Sequence, residues 1–145
     1  MLKLTRDCEY ALMAVLYLAS QPEGKVSLIR EIAEARDMPR TYLSKIMQRL
    51  ARAGLIKSRR GARGGLVLGR SAGSITMKDV IEAVEGPIRL NVCLTGKGAC
   101  PRDEGCPVLP VWVKAQKSMI EVLKGKTMAQ LVKDGMMMKK GAGGV

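Results

Sequence analysis

The chain has no histidine and no phenylalanine, and aromatic residues make up 3% of its 145 residues. Without histidine there is no Cys–His or Ser–His–Asp catalysis and no imidazole metal ligand. With one Trp and three Tyr, a base-stacking platform for RNA has too few rings. No glycine-rich nucleotide-binding motif is present either, so neither an enzyme nor a small-molecule substrate is expected. No stretch is long and apolar enough to span a bilayer, so no membrane partner is expected. The start, Met1-Leu-Lys-Leu-Thr-Arg-Asp-Cys-Glu-Tyr10, puts charges where the apolar core of a secretory signal should begin. A cytoplasmic location follows as the expectation, and there the four cysteines should stay reduced or bind metal. Acidic residues are scarce, 13 against 25 basic, and the resulting net charge of +12 favours a polyanionic partner.

The basic residues concentrate in one stretch. Met38 to Arg70 holds nine of them (Arg40, Lys45, Arg49, Arg52, Lys57, Arg59, Arg60, Arg63, Arg70) and no acid. Its first half, Arg40 to Gly54, reads as a helix, because Leu43, Ile46, Met47 and Leu50 recur at the spacing of one apolar face. Thr41, Ser44, Lys45, Gln48, Arg49 and Arg52 fall on the other face, as donors suited to base edges and phosphates. Gly54 ends the helix, since glycine takes the left-handed conformation there without strain. Leu55 to Arg70 then reads as two short strands joined by Arg59-Arg-Gly-Ala-Arg-Gly-Gly65. A helix followed by a basic, glycine-rich hairpin is the outline of a winged helix-turn-helix. The rival is a solvated cationic helix beside a flexible loop, but pattern, charge and order agree on the DNA reader.

Upstream, Thr5 is placed to cap a first helix with Asp7 and Glu9 in its first turn, and Tyr10, Ala11, Ala14, Val15, Leu18 and Ala19 form its apolar side. Gln21-Pro-Glu-Gly24 is a turn and Lys25-Val26 a candidate short strand. Ser27 is the expected cap of a second helix, Leu28 to Arg36, with Leu28, Ile32 and Ala35 facing inward. Pro39 suits the start of the recognition helix.

Downstream, Thr76 with Asp79 starts another helix, whose buried side is Val80, Ile81, Ala83 and Val84 and which ends at Gly86-Pro87. A longer helix should run from Pro107 to about Lys124, with a stripe of Trp112, Ala115, Met119, Ile120 and Leu123. Such a stripe can face its own core; a small helix-turn-helix core leaves little room for it, which favours a dimer contact. Thr127 and Gln130 form a capping box for a short last helix, Met128 to Lys133. Met136 to Val145 reads as an unstructured end. The expected layout is therefore a winged helix-turn-helix over 1–86, a cysteine-rich loop over 87–106, a dimerisation helix and short last helix over 107–135, and a tail over 136–145.

Three of the cysteines lie in that loop, Cys93-Leu-Thr-Gly-Lys-Gly-Ala-Cys100-Pro-Arg-Asp-Glu-Gly-Cys106. Glycines 96, 98 and 105 let the backbone curl so that the sulfurs can converge. Thiolates are soft ligands for iron–sulfur clusters, zinc or copper(I). Structural zinc sites favour a tight Cys-x-x-Cys knuckle and four ligands, which this loop lacks, whereas wider spacing with three ligands suits a cluster.

Taken together, Leu4-Thr5 with Tyr10-Ala11, Tyr42-Leu43, Arg60-Gly61 with Gly64-Gly65, Ala83-Val84-Glu85-Gly86, the three-cysteine loop and Trp112 resemble the iron–sulfur-dependent winged-helix regulators of the IscR and NsrR type, the Rrf-two family. The resemblance covers roughly residues 1 to 133. It implies a mainly α fold with a small β wing, a homodimer joined by the long helix after the cysteines, and binding to partly palindromic double-stranded promoter DNA. It implies sensing of iron, cluster supply, nitric oxide or redox state, often as a repressor. The family's cluster cysteines correspond to Cys93, Cys100 and Cys106, although the first gap is one residue longer than the common pattern. Where IscR-like members keep a histidine ligand this chain has Leu109. NsrR-like members take an acidic ligand from the first helix of the partner, a position that matches Glu9, with Cys8 and Asp7 beside it as alternatives. The lack of a histidine ligand tilts the expectation toward a four-iron over a two-iron cluster. The DNA contacts implied are Arg40, Thr41, Tyr42, Ser44, Lys45, Gln48 and Arg49 of the recognition helix and Arg59, Arg60 and Arg63 of the wing. The alternative is a cluster-free thiol or zinc-dependent winged-helix regulator.

Overall fold

The computed structural model describes residues 4–62 and 64–142. They form six α-helices, α1 (Arg6–Ser20), α2 (Ile29–Arg36), α3 (Arg40–Arg52), α4 (Met77–Glu85), α5 (Leu109–Lys124) and α6 (Met128–Ala142). Between α3 and α4 lies one antiparallel pair, β1 (Ile56–Arg59) and β2 (Gly65–Leu68), with Ile56 opposite Leu68 and Arg59 opposite Gly65. This is the expected winged helix-turn-helix, mainly α with a small β wing. No helix among the described residues is long and apolar enough to cross a membrane.

The small side chains of α1 let it run through the middle of the molecule. Ala11, Ala14 and Val15 are fully buried and Leu18 nearly so, and α1 packs against α3, α4 and α6. Thr5 Oγ1 caps it, accepting from the Cys8 N–H at 3.3 Å. Thr5 also donates its hydroxyl to Glu85, which ties the start of α1 to the end of α4.

Leu43, Ile46, Met47 and Leu50 of α3 are all buried, and that fixes which face of the recognition helix is outward. Turning the helix would expose four side chains worth roughly 1.5–3 kcal/mol each. The sum rivals the total stability of a domain, about 5–15 kcal/mol. Asp37, the only non-glycine residue described with positive φ, makes the tight turn before α3, and Gly54 follows it at φ +75°.

The second helix departs from expectation at its start. Ser27 does not cap it; the cap position is Leu28, whose N–H donates to Glu31 Oε2 at 2.9 Å. Ser27 instead pairs with the wing: its N–H donates to the Leu66 carbonyl at 3.0 Å, and the Leu66 N–H donates back at 2.7 Å. Backbone pairing to β2 therefore overrides the capping preference of the hydroxyl, and the strand suggested at Lys25-Val26 is reduced to this single bridge at Ser27. Ala33 is buried with Ile32, and Ala35 is exposed, so the inward face of α2 is turned from the expected one. A Cβ at Gly65 would lie 2.6 Å from the Ser27 carbonyl oxygen, so glycine there is what lets the wing sit against the approach to α2.

Thr76 and Asp79 form the capping box of α4, with the Asp79 N–H donating to Thr76 Oγ1 at 3.2 Å and the Thr76 N–H to Asp79 Oδ2 at 2.9 Å. Helix α5 begins at Leu109, two residues after Pro107, and keeps Pro110 in its first turn. Its apolar stripe divides. Met119, Ile120 and Leu123 pack against Cys8, Ile81 and Ile88 of the same chain, whereas Trp112 and Ala115 stay exposed. The expectation that the whole stripe is a dimer contact is therefore corrected: its C-terminal half closes a small intrachain core. Helix α6 is longer than the six residues expected, running through Met136-Met137-Met138 to Ala142 in place of an unstructured end. Its Met128 is fully buried and its N–H donates to the Ile75 carbonyl at 2.7 Å. The expected tail beyond residue 142 lies outside the described residues.

Candidate functional site

The outward face of α3 carries the side chains expected there. Arg40, Thr41, Tyr42, Lys45, Gln48 and Arg49 are exposed, and Ser44 is half-buried with its hydroxyl donated to the Arg40 carbonyl at 3.0 Å. Ser44 thus spends its proton within the helix and offers only lone pairs outward. Arg59 ends β1 and Arg60 opens the wing loop, both exposed. Arg63 lies outside the described residues. Arg70, part of the same basic stretch, faces elsewhere: it pairs with Asp79 at 2.9 Å. Burial alone would raise the Asp79 carboxyl, but the Thr76 hydrogen bonds, then Arg70 and Lys78, outweigh it and hold the carboxyl below its usual value.

Two contacts join the first turns of α1 to this face. Arg49 Nη1 meets Asp7 Oδ2 at 3.3 Å. The rings of Tyr10 and Tyr42 sit edge to face, centroids 6.3 Å apart and planes at 81°. Glu9, between those residues on α1, is exposed. Cys8, the residue before it, points inward and is sealed beside Ile81 and Ile88. Burial, then the Glu85 and Glu9 carboxylates, pushes its thiol up from 9.0 to about 11.

The cysteine loop is fastened to both flanking helices. The Ile88 N–H donates to Glu82 Oε1 of α4 at 3.3 Å, and the Leu90 N–H to Gln116 Oε1 of α5 at 3.0 Å. Cys93, Cys100 and Cys106 are all half-buried and free. Gly98 and Gly105 take positive φ within the loop, and the Gly98 N–H donates to Asp103 Oδ2 at 2.8 Å. Partial desolvation, then the Cys100 thiol, raises the Cys93 thiol above its ordinary value. Among the described residues no three Cys, Asp or Glu side chains converge as a single metal ion requires. The donor set, three thiols on one loop, is of the soft type that fits an iron–sulfur cluster or a zinc ion.

A sequence model of the Rrf2 family, described as an iron-dependent transcriptional regulator, matches residues 4–134. The chain belongs to the Rrf2 family. Among its relatives, protein aau3 of Rhizobium meliloti (strain 1021) is 38% identical over 133 residues, 91% of this chain and 86% of that protein. Two solved structures share the fold with 30% identity and a TM-score of 0.75 each. One is CymR, the global cysteine regulator of B. subtilis, with 92% of this chain and 98% of that chain covered. The other is T. potens IscR, with 92% and 88% covered. As an Rrf2 protein the chain is a DNA-binding transcriptional regulator and not an enzyme.

One residue of this Rrf2 protein's candidate DNA face escaped the sequence. A groove of about 580 Å³ lies between the start of α2, the start of α3 and the wing, and Arg30, Arg40 and Arg59 all line it. Arg30 sits in a helix whose charges are mixed, next to Glu31, so no basic run marks it. Only the pairing of Ser27 with Leu66 brings its turn of α2 up to the wing.

Proposed function

We propose that this Rrf2 regulator acts as a homodimer that reads two-fold promoter DNA and senses its signal through an iron–sulfur cluster on Cys93, Cys100 and Cys106, with Glu9 of the partner subunit as fourth ligand. The observation that carries this reading is the cysteine loop itself: three free, half-exposed thiols on a segment tied by hydrogen bonds to α4 at one residue and to α5 two residues later. A bound cluster would supply a site that reacts with oxygen or nitric oxide and depends on iron supply. The chain's own residues do the rest. Holding the loop in one arrangement fixes Ile88 and Leu90, and through them the junction of α4 with α5. Glu9 lies in the same turns of α1 as Asp7 and Tyr10, which touch the recognition helix. A ligand bond at Glu9 therefore bears on the placement of α3, whose outward side chains enter the major groove while Arg60 reaches the minor groove.

The dimer contact in this reading is the exposed side of α5, where Val108, Val111, Trp112 and Val122 remain uncovered in the single chain. Residues 108, 111, 115, 118 and 122 repeat at the three-and-four spacing of a helix–helix seam.

A second reading has its own support. Three free, half-buried cysteines on one loop supply oxidisable thiols without any metal, as a cluster-free thiol regulator requires. Likeness to a cysteine regulator as well as to IscR fits either reading. Protein purified without oxygen decides. Brown protein with iron and acid-labile sulfide supports the cluster, and its visible spectrum separates four-iron from two-iron forms. Colourless protein with reactive thiols and no iron overturns the cluster in favour of the second reading.

A further inference from the structure

We infer that the groove between α2 and the wing seats a backbone phosphate of the DNA target, and that Arg30 is one of its ligands. The inference rests on duplex binding but not on the state of the cysteine loop. Three arginines from three elements line the groove: Arg30 from α2, Arg40 from the first turn of α3, and Arg59 from the end of β1. Its remaining wall is apolar or neutral, from Leu28, Ile29, Ser58, Gly65 and Leu66, so no carboxylate lines it. No ion pair among the described residues engages any of the three arginines. By contrast Arg49 and Arg70, from the basic stretch 38–70, are both occupied by aspartates.

Three unpaired cations around one concavity repel each other, and a shared anion relieves that repulsion. Phosphate oxygens suit guanidinium forks in number and geometry. The groove also has the right position. It lies between the helix that enters the major groove and the wing, so a strand passing from one to the other carries its phosphates across it. Its width is held by backbone. The Ser27–Leu66 bridge and the close approach of Gly65 to the Ser27 carbonyl lock the wing to the start of α2. The backbone positions that carry Arg30 and Arg59 are therefore held together before DNA arrives.

A phosphate contact carries no base information, so its signature is electrostatic. The test is a fluorescence-anisotropy titration of the full chain with its best promoter duplex and with a scrambled duplex, repeated over a series of salt concentrations. Arg30→Ala should weaken both duplexes by roughly tenfold and reduce the slope of log K against log salt by about 0.9. Arg30→Lys, which keeps the charge, should retain most of the slope. Lys133→Ala, which removes an exposed charge from α6, serves as the control and should change neither. Arg30→Ala behaving like Lys133→Ala would overturn the assignment while leaving duplex binding by the wild type intact. Loss of affinity with an unchanged salt slope would equally overturn it, because the arginine would then be acting on structure and not on phosphate. Wild-type protein that bound neither duplex would instead remove the premise of DNA binding, and the seat with it.

Discussion

Asp7, in the first turn of α1, holds Arg49 of the recognition helix at 3.3 Å. One helical turn away Tyr10 meets Tyr42 of the same helix. The two contacts make α1 a bracket for the DNA-reading helix. One is a charge contact that uses up a cation on the reading face, and the other is an aromatic contact that fixes its angle.

Asp7→Asn should release Arg49. Both partners are partly exposed, 29% and 46%, so the pair contributes little to stability, under about 1 kcal/mol, and the melting temperature should barely move. The positive face gains a free cation, so affinity for a scrambled duplex at low salt should rise about threefold. An unchanged titration curve would show that Arg49 leaves Asp7 for DNA at no measurable cost.

Arg60→Ala removes the wing-tip arginine assigned to the minor groove. Specific binding should fall by about 1–3 kcal/mol, with relaxed preference at the positions flanking the major-groove contacts. Lys57→Ala, on a strand and not at the tip, should weaken specific and scrambled duplexes about equally. Footprints of the two variants on one promoter would separate them, and wild-type protection in Arg60→Ala would remove the wing tip from the interface.

The division of the α5 stripe predicts two different phenotypes from one helix. Trp112→Glu places a charge on the exposed side and should give folded monomers in sedimentation. Leu123→Glu drives a charge into the core around Cys8, Ile81 and Ile88, and should lower the melting temperature whatever the assembly state. If Trp112→Glu sedimented like wild type, the dimer surface would lie elsewhere.

The elements whose residues alone determine them were legible from sequence. The four-residue apolar stripe of α3, the Thr76–Asp79 box and Gly54 are local signals, and each stands where the pattern puts it. What was not legible depended on partners distant in sequence. Ser27 has the chemistry of a cap but is taken by Leu66, 39 positions on. Met119, Ile120 and Leu123 look like an interface until Cys8 and Ile88 are brought beneath them. Arg30 becomes part of a basic groove only when the wing folds back. The methionines at 136–138 carry no turn signal and simply continue a helix that Met128 anchors.

The buried Cys8 thiol gives a pH dependence with a definite sign. Below pH 9.0 the thiol is neutral in folded and unfolded chains alike. Between 9.0 and about 11 the unfolded chain loses its proton first, so stability falls as pH rises through that window. The loss from this group is at most about 2.7 kcal/mol. Lysines and tyrosines titrate there too, so the informative quantity is the difference in slope between wild type and Cys8→Ala in urea melts from pH 8 to about 11. Parallel slopes would mean that the thiol is not sealed in the core.

The same burial bears on the fourth ligand proposed for a cluster. Adjacent positions on α1 point about 100° apart: Cys8 faces the core, and Glu9 faces out. Ligation by Cys8 would require opening the cluster of Ile81 and Ile88 and removing a proton from a thiol held near 11. Asp7 is committed to Arg49. Glu9 makes no ion pair among the described residues and is the carboxylate free to leave its own subunit's surface. A carboxylate is also a harder ligand than thiolate, so Glu9 would hold a cluster iron less firmly than a thiolate would, as a sensor needs. Anaerobic reconstitution of Glu9→Ala should shift the visible spectrum and speed cluster loss under oxygen, while Cys8→Ala should leave both unchanged. Asp7→Asn should keep the spectrum and alter only the DNA titration. An altered spectrum in Cys8→Ala beside an unaltered one in Glu9→Ala would move the ligand to Cys8, and would require the core around it to open when the cluster binds.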